Sequence, residues 1–230
     1  CSYEDIGQAD CLLIAGANPA VAHPIVFRRI EDVRAANPSL KIIVIDPRRS
    51  ETAEIADLHL PLKPGTDIAL FNGLLHVLLA ENRVDRAYIA AHTEGFEALE
   101  ETVAAYSPAV VARICSLAEG DIIQAARWFG ASKAALSLYC QGLNQSSHGT
   151  HNNAALIHLH LATGQIGKPG AGPFSLTGQP NAMGGREVGG LANILSAHRD
   201  MSNAVHRQEV AQLWGVPSVP EKPGRAAVDL

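Results

Sequence analysis

The fold class predicted from the sequence is α/β, with a doubly wound, mostly parallel, Rossmann-like sheet flanked by helices. Four short apolar runs have the length of buried strands, and they cover residues 9–15, 40–45, 58–62 and 133–139. Between most of them lie longer stretches in which apolar residues recur at helical spacing. Buried strands that alternate with helices are typical of a parallel sheet covered on both faces.

The helices predicted around these strands follow from the same spacing. They cover residues 25–36, 68–81, 96–106, 120–129 and 152–162. The fourth is expected to begin with a capping box formed by Ser116 and Glu119, because the two side chains of an S-x-x-E pair can each accept from the other's backbone amide.

A glycine-rich segment runs from Gly164 to Gly190. Apolar residues interrupt it and serines and charges are few, so we interpret it as an ordered active-site loop. Extra helices are predicted after it, at residues 187–197 and around 208–214. The predicted domains are residues 1–177, the Rossmann-like α/β domain, and residues 178–230, the glycine-rich loop and helices of an adjacent, incomplete domain.

The composition excludes several classes of protein. Hydrophobic residues make up 47% of the 230 residues, which is enough for a large core. The net charge of −5 gives no basic surface for nucleic acid or anionic membrane. The apolar runs are too short to span a bilayer. The first residue is Cys1 and no leader pattern follows it, so we expect the numbering to begin inside a longer chain.

The cysteines and histidines form no metal-binding pattern. The four cysteines are spread singly, and Cys11 and Cys140 fall in apolar runs where a cysteine is usually a small core residue. The histidine pairs at residues 148/151 and 158/160 have no cysteine or carboxylate beside them, so solvated or internally satisfied side chains are the preferred interpretation.

The first two strands end in polar loops that suit a nucleotide. Gly16 would allow close approach of the backbone to a phosphate or base, and Asn18 could cap a helix or contact a nucleotide edge. Asp46 follows the second strand, where an acid often binds a ribose or purine edge, and Arg48 beside it could pair with phosphate. A plain strand-to-helix turn and a solvated charged turn remain the alternatives.

The third and fourth strands also end in polar loops. After the third, Gly65, Thr66 and Asp67 precede a helix; Thr66 or Asp67 could cap it, and a carboxylate such as Asp67 could accept from guanine. After the fourth, Gln141 and Gln145 suit recognition of a polar heterocycle. Because carboxyl ends of parallel strands meet at one edge of the sheet, this agreement favours a shared binding site.

Together these motifs resemble the molybdopterin oxidoreductase family, over essentially the whole chain. The matching stretches are A-G-A-N-P-A-x-x-H-P from residue 15, I-D-P-R-R-S-E-T-A from 45, K-P-G-T-D from 63 and H-L-A-T-G-Q-I-G-K-P-G-A-G from 160. The resemblance implies a bis-(molybdopterin guanine dinucleotide) cofactor with molybdenum, one dinucleotide of which the domain at residues 1–177 binds. The cofactor contacts it implies are Gly16, Asn18, Asp46, Arg48, Gly65, Thr66, Asp67, Gln141, Gln145 and Gln179.

Within the family, the segment from Phe174 to Gly190 is most similar to assimilatory nitrate reductases. Thr177 stands where formate dehydrogenases have an arginine that faces the metal, which favours nitrate as substrate. Arg186 is the candidate to attract this planar anion and stabilise charge on its departing oxygen. Thr177 and Gln179 are expected to line the same cavity; a salt bridge or helix-terminal contact beside Glu187 is the alternative role for Arg186.

Two expected parts of such an enzyme do not occur in this sequence. The C-x-x-C-x-x-x-C ligands of a 4Fe-4S cluster are absent, and the molybdenum ligand is expected before Cys1. An inactive internal fragment is therefore expected, whose partners are the rest of the catalytic subunit, an electron donor protein or reductase subunit, and nitrate, in the cytoplasm. A formate dehydrogenase or a non-catalytic pterin-dinucleotide-binding module remains as an alternative.

Overall fold

The computed structural model describes residues 1–178, 182–189 and 194–225. Its internal contacts divide the chain into two compact units, Cys1–Leu176 and Thr177–Leu230. In the described residues no helix is long and apolar enough to cross a membrane.

The first unit contains a five-stranded, fully parallel sheet. Its strands are β1 (Cys11–Ala15), β2 (Lys41–Ile45), β3 (Leu58–Leu60), β4 (Ala135–Tyr139) and β5 (Gly172–Ser175), in the spatial order β3-β2-β1-β4-β5. The central strand β1 pairs along its whole length, from Cys11 beside Lys41 and Ala135 to Ala15 beside Ile45 and Tyr139. The predicted doubly wound α/β class is confirmed.

Each face of this sheet packs against its own set of helices. Cys11, Leu13 and Ala15 of β1 lie in one buried cluster, and Leu12 and Ile14 lie in the other. Alternate residues of a strand point to opposite faces, so a strand buried on both sides is apolar throughout. This explains why the strands appear in the sequence as continuous apolar runs.

Helices connect the strands across both faces. They are α1 (Pro19–Ala22), α2 (Pro24–Ala36), α3 (Asp67–Ala80), α4 (Arg86–His92), α5 (Phe96–Ala104), α6 (Pro108–Cys115), α7 (Glu119–Ala131), α8 (Gln141–Asn144) and α9 (Gly149–Ala162). All five predicted helices of this unit are present within a few residues of their expected bounds. The helices α1, α4, α6 and α8 and the strand β5 were not predicted from the sequence. The strand β5 lies within the glycine-rich segment, where little apolar alternation marks it.

The second unit is small and has its own buried cluster. Its elements are α10 (Ala182–Glu187), β6 (Ile194–Leu195), β7 (Arg199–Asp200) and α11 (Ala204–Trp214), with β6 and β7 antiparallel. The helix predicted at residues 187–197 is wrong where the structure describes it: α10 ends at Glu187, β6 occupies Ile194–Leu195, and Ala197 has left-handed backbone. Residues 190–193 of that prediction lie outside the described residues. The helix around 208–214 is confirmed and begins earlier, where the Asn203 side chain caps it.

Candidate functional site

A cavity of about 500 Å³ lies at the carboxyl edge of the sheet. The loops after β1, β2, β3 and β4 all contribute to it, as the sequence predicts. Its volume falls in the usual range for small-molecule sites. Its lining residues are Gly16, Ala17, Asn18, Ala22, His23, Ile45, Asp46, Pro47, Arg48, Leu62, Pro64, Gly65, Asp67, Cys140, Gln141 and Gly142.

The loops after β1 and β4 are in direct backbone contact in this cavity. The Gly142 amide donates a hydrogen bond to the Gly16 carbonyl, with an N···O distance of 2.9 Å. Gly16 has a φ of +56°, and a Cβ atom there would lie 2.8 Å from the Cα of Gly142. Only glycine satisfies both conditions, so Gly16 brings two strand-end loops together as well as exposing backbone to the cavity.

Asn18 lines the cavity but does not cap α1 with its side chain. It occupies the N-cap position without a side-chain cap hydrogen bond. Its amide nitrogen instead donates to Glu51 (3.0 Å), and its amide oxygen accepts from the Thr52 hydroxyl (2.7 Å). The loop after β1 is thereby tied to the loop after β2.

The loop after β2 folds back on its first residue. The Asp46 carboxylate accepts from the Arg48 amide at 2.8 Å, which is an Asx turn. The Asp46 carbonyl lies 2.9 Å from Nε2 of His59 on β3. The Arg48 side chain is exposed at the cavity, where a guanidinium can bind an anion.

A tight turn leads from β3 into α3. Pro64 and Gly65 occupy its central positions, Gly65 has a φ of +81°, and the Thr66 amide donates to the Lys63 carbonyl. Proline followed by glycine at positive φ is the pattern of a type II turn. The Thr66 hydroxyl also donates to the Lys63 carbonyl (2.6 Å), so Thr66 takes the N-cap position without capping α3 through its side chain.

Asp67 is the half-buried carboxylate of the cavity. It is the first residue of α3, and burial raises its pKa above the ordinary value of an aspartate. Among the described residues no basic side chain forms an ion pair with it. A carboxylate held in this way favours a ligand that donates hydrogen bonds.

Several predicted cofactor residues lie away from this cavity or outside the description. Thr66 and Gln145 do not line it, and Gln145 is exposed after α8. Thr177 is exposed in the second unit, Gln179 lies outside the described residues, and so does the side chain of Arg186, whose backbone belongs to α10. The neighbouring Glu187 carboxylate pairs with His198, with an N···O distance of 2.8 Å.

Sequence reasoning missed several residues that line the cavity. They are His23, Leu62, Cys140 and Gly142. None of them is a polar residue that directly follows a strand, although Cys140 and Gly142 are neighbours of the predicted Gln141. Burial raises the pKa of the Cys140 thiol, which keeps this sulfur protonated. The sequence could have indicated these residues only through their closeness to the ends of the predicted strands. In the described residues no group of three histidine, cysteine or acidic side chains could hold a metal ion.

Comparison with known proteins gives a consistent result. A model of the molybdopterin oxidoreductase family matches residues 1–224. A nitrate reductase from Synechocystis sp. is 48% identical over 225 residues, covering 98% of this chain and 31% of the relative. A periplasmic nitrate reductase from Desulfovibrio desulfuricans is 43% identical over 244 residues, covering 100% of this chain and 32% of that protein.

Two further matches are proteins that are not named nitrate reductases. The alpha subunit of an F420-dependent formate dehydrogenase from Methanococcus maripaludis is 40% identical over 213 residues, covering 93% of this chain and 31% of the relative. The solved structure of acetylene hydratase from Pelobacter acetylenicus matches with a TM-score of 0.65 and 28% identity, over 74% of this chain and 25% of that one.

The chain thus spans about a third of the length of these relatives. The match to the family model covers nearly all of it and includes the four loops that form the cavity. The chain belongs to the molybdopterin oxidoreductase family.

Proposed function

We propose that this chain is an internal segment of the catalytic subunit of a nitrate reductase, and that its cavity binds one guanine dinucleotide of a bis-(molybdopterin guanine dinucleotide) cofactor. The observation that supports this most is the convergence of four loops on one cavity, where Gly16 and Gly142 add no side chain to the lining and Asp67 supplies a half-buried carboxylate. The side-chain amides of Asn18 and Gln141, the Asp67 carboxylate and the Arg48 guanidinium fit the phosphates and purine of a nucleotide.

Residues of different chemistry in the cavity would bind different parts of the nucleotide. Asp67 would accept from the N1 and N2 donors of guanine, since it is desolvated and has no basic partner in the described residues. Arg48 would pair with phosphate, while Asn18 and Gln141 would bond to polar edges of the nucleotide. The molybdenum cofactor, when bound, supplies the electron pair that converts nitrate and two protons into nitrite and water.

The choice of nitrate rests on the relatives and on the segment after β5. Nitrate reductases are 43–48% identical to this chain. We take the segment that contains Thr177 and Arg186 to resemble nitrate reductases more than formate dehydrogenases. We propose that Arg186 attracts nitrate by its positive charge, with Thr177 and Gln179 lining the same space. The relevant side-chain geometry of Arg186 and Gln179 lies outside the described residues.

The test is an assay of the full-length subunit with nitrate and with formate. Arg186→Ala is expected to reduce nitrate turnover by about 100-fold with molybdenum content retained, as removal of a charge-stabilising donor does elsewhere. Arg28→Ala is the matched control, because Arg28 is an exposed arginine of α2. Nitrate turnover that Arg186→Ala leaves unchanged contradicts the role of Arg186, and turnover of formate alone by the unaltered subunit contradicts the nitrate assignment.

A formate dehydrogenase is the second candidate, supported by the relative from Methanococcus maripaludis. A binding module without redox chemistry is a third, and it would carry the dinucleotide while turning over neither substrate. As part of the nitrate proposal, we infer a 4Fe-4S cluster and an electron donor protein elsewhere in the assembly, a role in nitrate assimilation, and a cytoplasmic location. Cell fractionation tests the location, because a periplasmic relative makes the periplasm the competing compartment.

A further inference from the structure

Thr52 lies behind the cavity rather than in it. It belongs to the 3-10 turn Glu51–Ile55 that follows β2, and its side chain is fully buried. Its hydroxyl accepts from the Ala20 amide (3.1 Å) and donates to the amide oxygen of Asn18 (2.7 Å). One hydroxyl thus acts as donor to the Asn18 side chain in the loop after β1 and as acceptor for an amide in the first turn of α1.

Glu51 holds the nitrogen of the Asn18 side-chain amide. Its carboxylate accepts from the Asn18 amide nitrogen at 3.0 Å. A carboxylate cannot donate, so this contact assigns the nitrogen of Asn18 to the Glu51 side and the oxygen to the Thr52 side. Asn18 lines the cavity, whereas neither Glu51 nor Thr52 does. One N–H and one lone pair of the amide remain for a ligand.

We propose that Thr52 is a positioning residue for the cavity, which acts through Asn18 to fix the donor and acceptor that this amide presents to the bound nucleotide. Without the hydroxyl, the Asn18 side chain keeps only its contact with Glu51, and its amide oxygen is no longer held in place. A ligand would then have to order it on binding, at a cost in affinity. The inference rests on the proposed function only in taking the ligand to be a guanine dinucleotide.

The experiment measures retention of the cofactor by the full-length subunit. Molybdenum and the GMP released by acid hydrolysis are quantified per subunit at intervals after dilution. Thr52→Val, which keeps the shape and removes the hydroxyl, is expected to release the dinucleotide about ten-fold faster than the unaltered subunit. Thr52→Ser, which restores the hydroxyl, is expected to stay within about two-fold. Equal release by Thr52→Val and the unaltered subunit overturns the inference.

A double-mutant cycle separates positioning from a general loss of stability. If Thr52 acts through Asn18, then Asn18→Ala together with Thr52→Val releases the dinucleotide no faster than the worse single variant. Rate increases that multiply in the double variant overturn the inference, even where Thr52→Val also lowers the melting temperature. Glu51→Ala, an exposed change that leaves the core intact, is expected to accelerate release as well.

This design distinguishes failure of the inference from failure of the proposed function. If the unaltered subunit releases no GMP on hydrolysis, it holds no guanine dinucleotide, and the function is wrong. If it releases GMP and the Thr52 variants behave alike, the function stands and the positioning role does not.

Discussion

Gly16 shows how one residue can be required for two reasons at once. Its left-handed backbone and its contact with Gly142 are separate constraints, and either alone disfavours a side chain. The sequence predicted that Gly16 would expose backbone to a ligand. The structure adds that the loop after β4 packs against it, which the sequence did not indicate because Gly142 is far away along the chain.

We expect Gly16→Ala to lower the free energy of unfolding by about 1–3 kcal/mol, since it adds backbone strain and a steric clash. Urea denaturation of the purified protein measures this. Gly120→Ala is the control: Gly120 lies in α7 with no atom within 4 Å of an added Cβ, so the change should be neutral or stabilising. An equal effect of the two variants would contradict the steric explanation.

His160 is a buried histidine that packs in the core of the first unit and does not line the cavity. Its Nε2 lies 2.7 Å from the Ser137 hydroxyl on β4, and its ring meets Phe129 edge-on at 5.1 Å. Its Nδ1 is buried and has no hydrogen-bond partner in the described structure. Complete burial lowers the pKa of His160 to about 3. The preferred interpretation of this histidine as an internally satisfied side chain is therefore correct for Nε2 but not for Nδ1.

Acid should therefore destabilise the protein through His160. In the folded protein its pKa lies below that of an unfolded histidine, which is about 6.5, so the unfolded state binds the proton more readily at pH values between about 3 and 6.5. The contribution of His160 to the free energy of unfolding is therefore complete above the pKa of histidine in the unfolded state. It is lost progressively as the pH falls below that value, by a few kcal/mol at most.

The measurement is the free energy of unfolding from pH 7 to pH 4. His160→Gln is expected to flatten this dependence, although it also lowers stability at pH 7 because the core packing changes. His148→Gln, at an exposed position, should leave the slope as it is. A slope that survives in His160→Gln would assign the acid sensitivity to other groups.

At the scale of elements, the junction of α6 and α7 shows where local patterns mislead. Ser116 and Glu119 have the spacing of a capping box, yet α7 begins at Glu119 and the N-cap position belongs to Ala118, without a side-chain cap. Ser116 instead ends α6, in left-handed conformation with a φ of 57°. The unpredicted helix α6 ends immediately before Ser116, so the S-x-x-E pattern spans the connection between two helices instead of the start of one.

Because Ser116 is a non-glycine residue in left-handed conformation, Ser116→Gly should stabilise the protein, by up to about 1 kcal/mol. Ser132 is the matched control, since it ends α7 at a φ of −75° and its hydroxyl bonds to the Trp128 carbonyl. Ser132→Gly should therefore destabilise it. Thermal unfolding of both variants tests the prediction, and shifts of the same sign would contradict it.

At the scale of the whole molecule, the cavity exists because four distant loops reach one edge of the parallel sheet. Asp67 depends on this assembly: its burial, and so its raised pKa, comes from the neighbouring loops as well as from its own turn. We expect Asp67→Asn in the full-length subunit to reduce retained GMP at least ten-fold, because an amide cannot accept from both guanine donors as a carboxylate does.

The control for this prediction is Glu119→Gln, which also neutralises an acid in the first turn of a helix but lies in an exposed position away from the cavity. Quantification of GMP after acid hydrolysis compares the two variants. Equal retention by Asp67→Asn and Glu119→Gln would show that Asp67 does not bind the nucleotide.

By itself the sequence determined the strands β1 to β4, because strands buried on both faces are mostly apolar and stand out as short hydrophobic runs. It also determined which residues follow those strands, and with them most of the polar lining of the cavity, including Asp46 and Asp67. The family could be recognised at the same stage, since three of its four motifs include the loops after β1, β2 and β3.

Only the tertiary structure decided what each loop residue contacts. Asn18 bonds to Glu51 and Thr52 rather than capping α1, Gly16 packs on Gly142, and β5 pairs with β4 although glycine opens it. These features depend on residues that are distant along the chain, and no local pattern of charge or hydrophobicity encodes such contacts. Packing between separate loops therefore made the cavity, while local sequence supplied its chemistry.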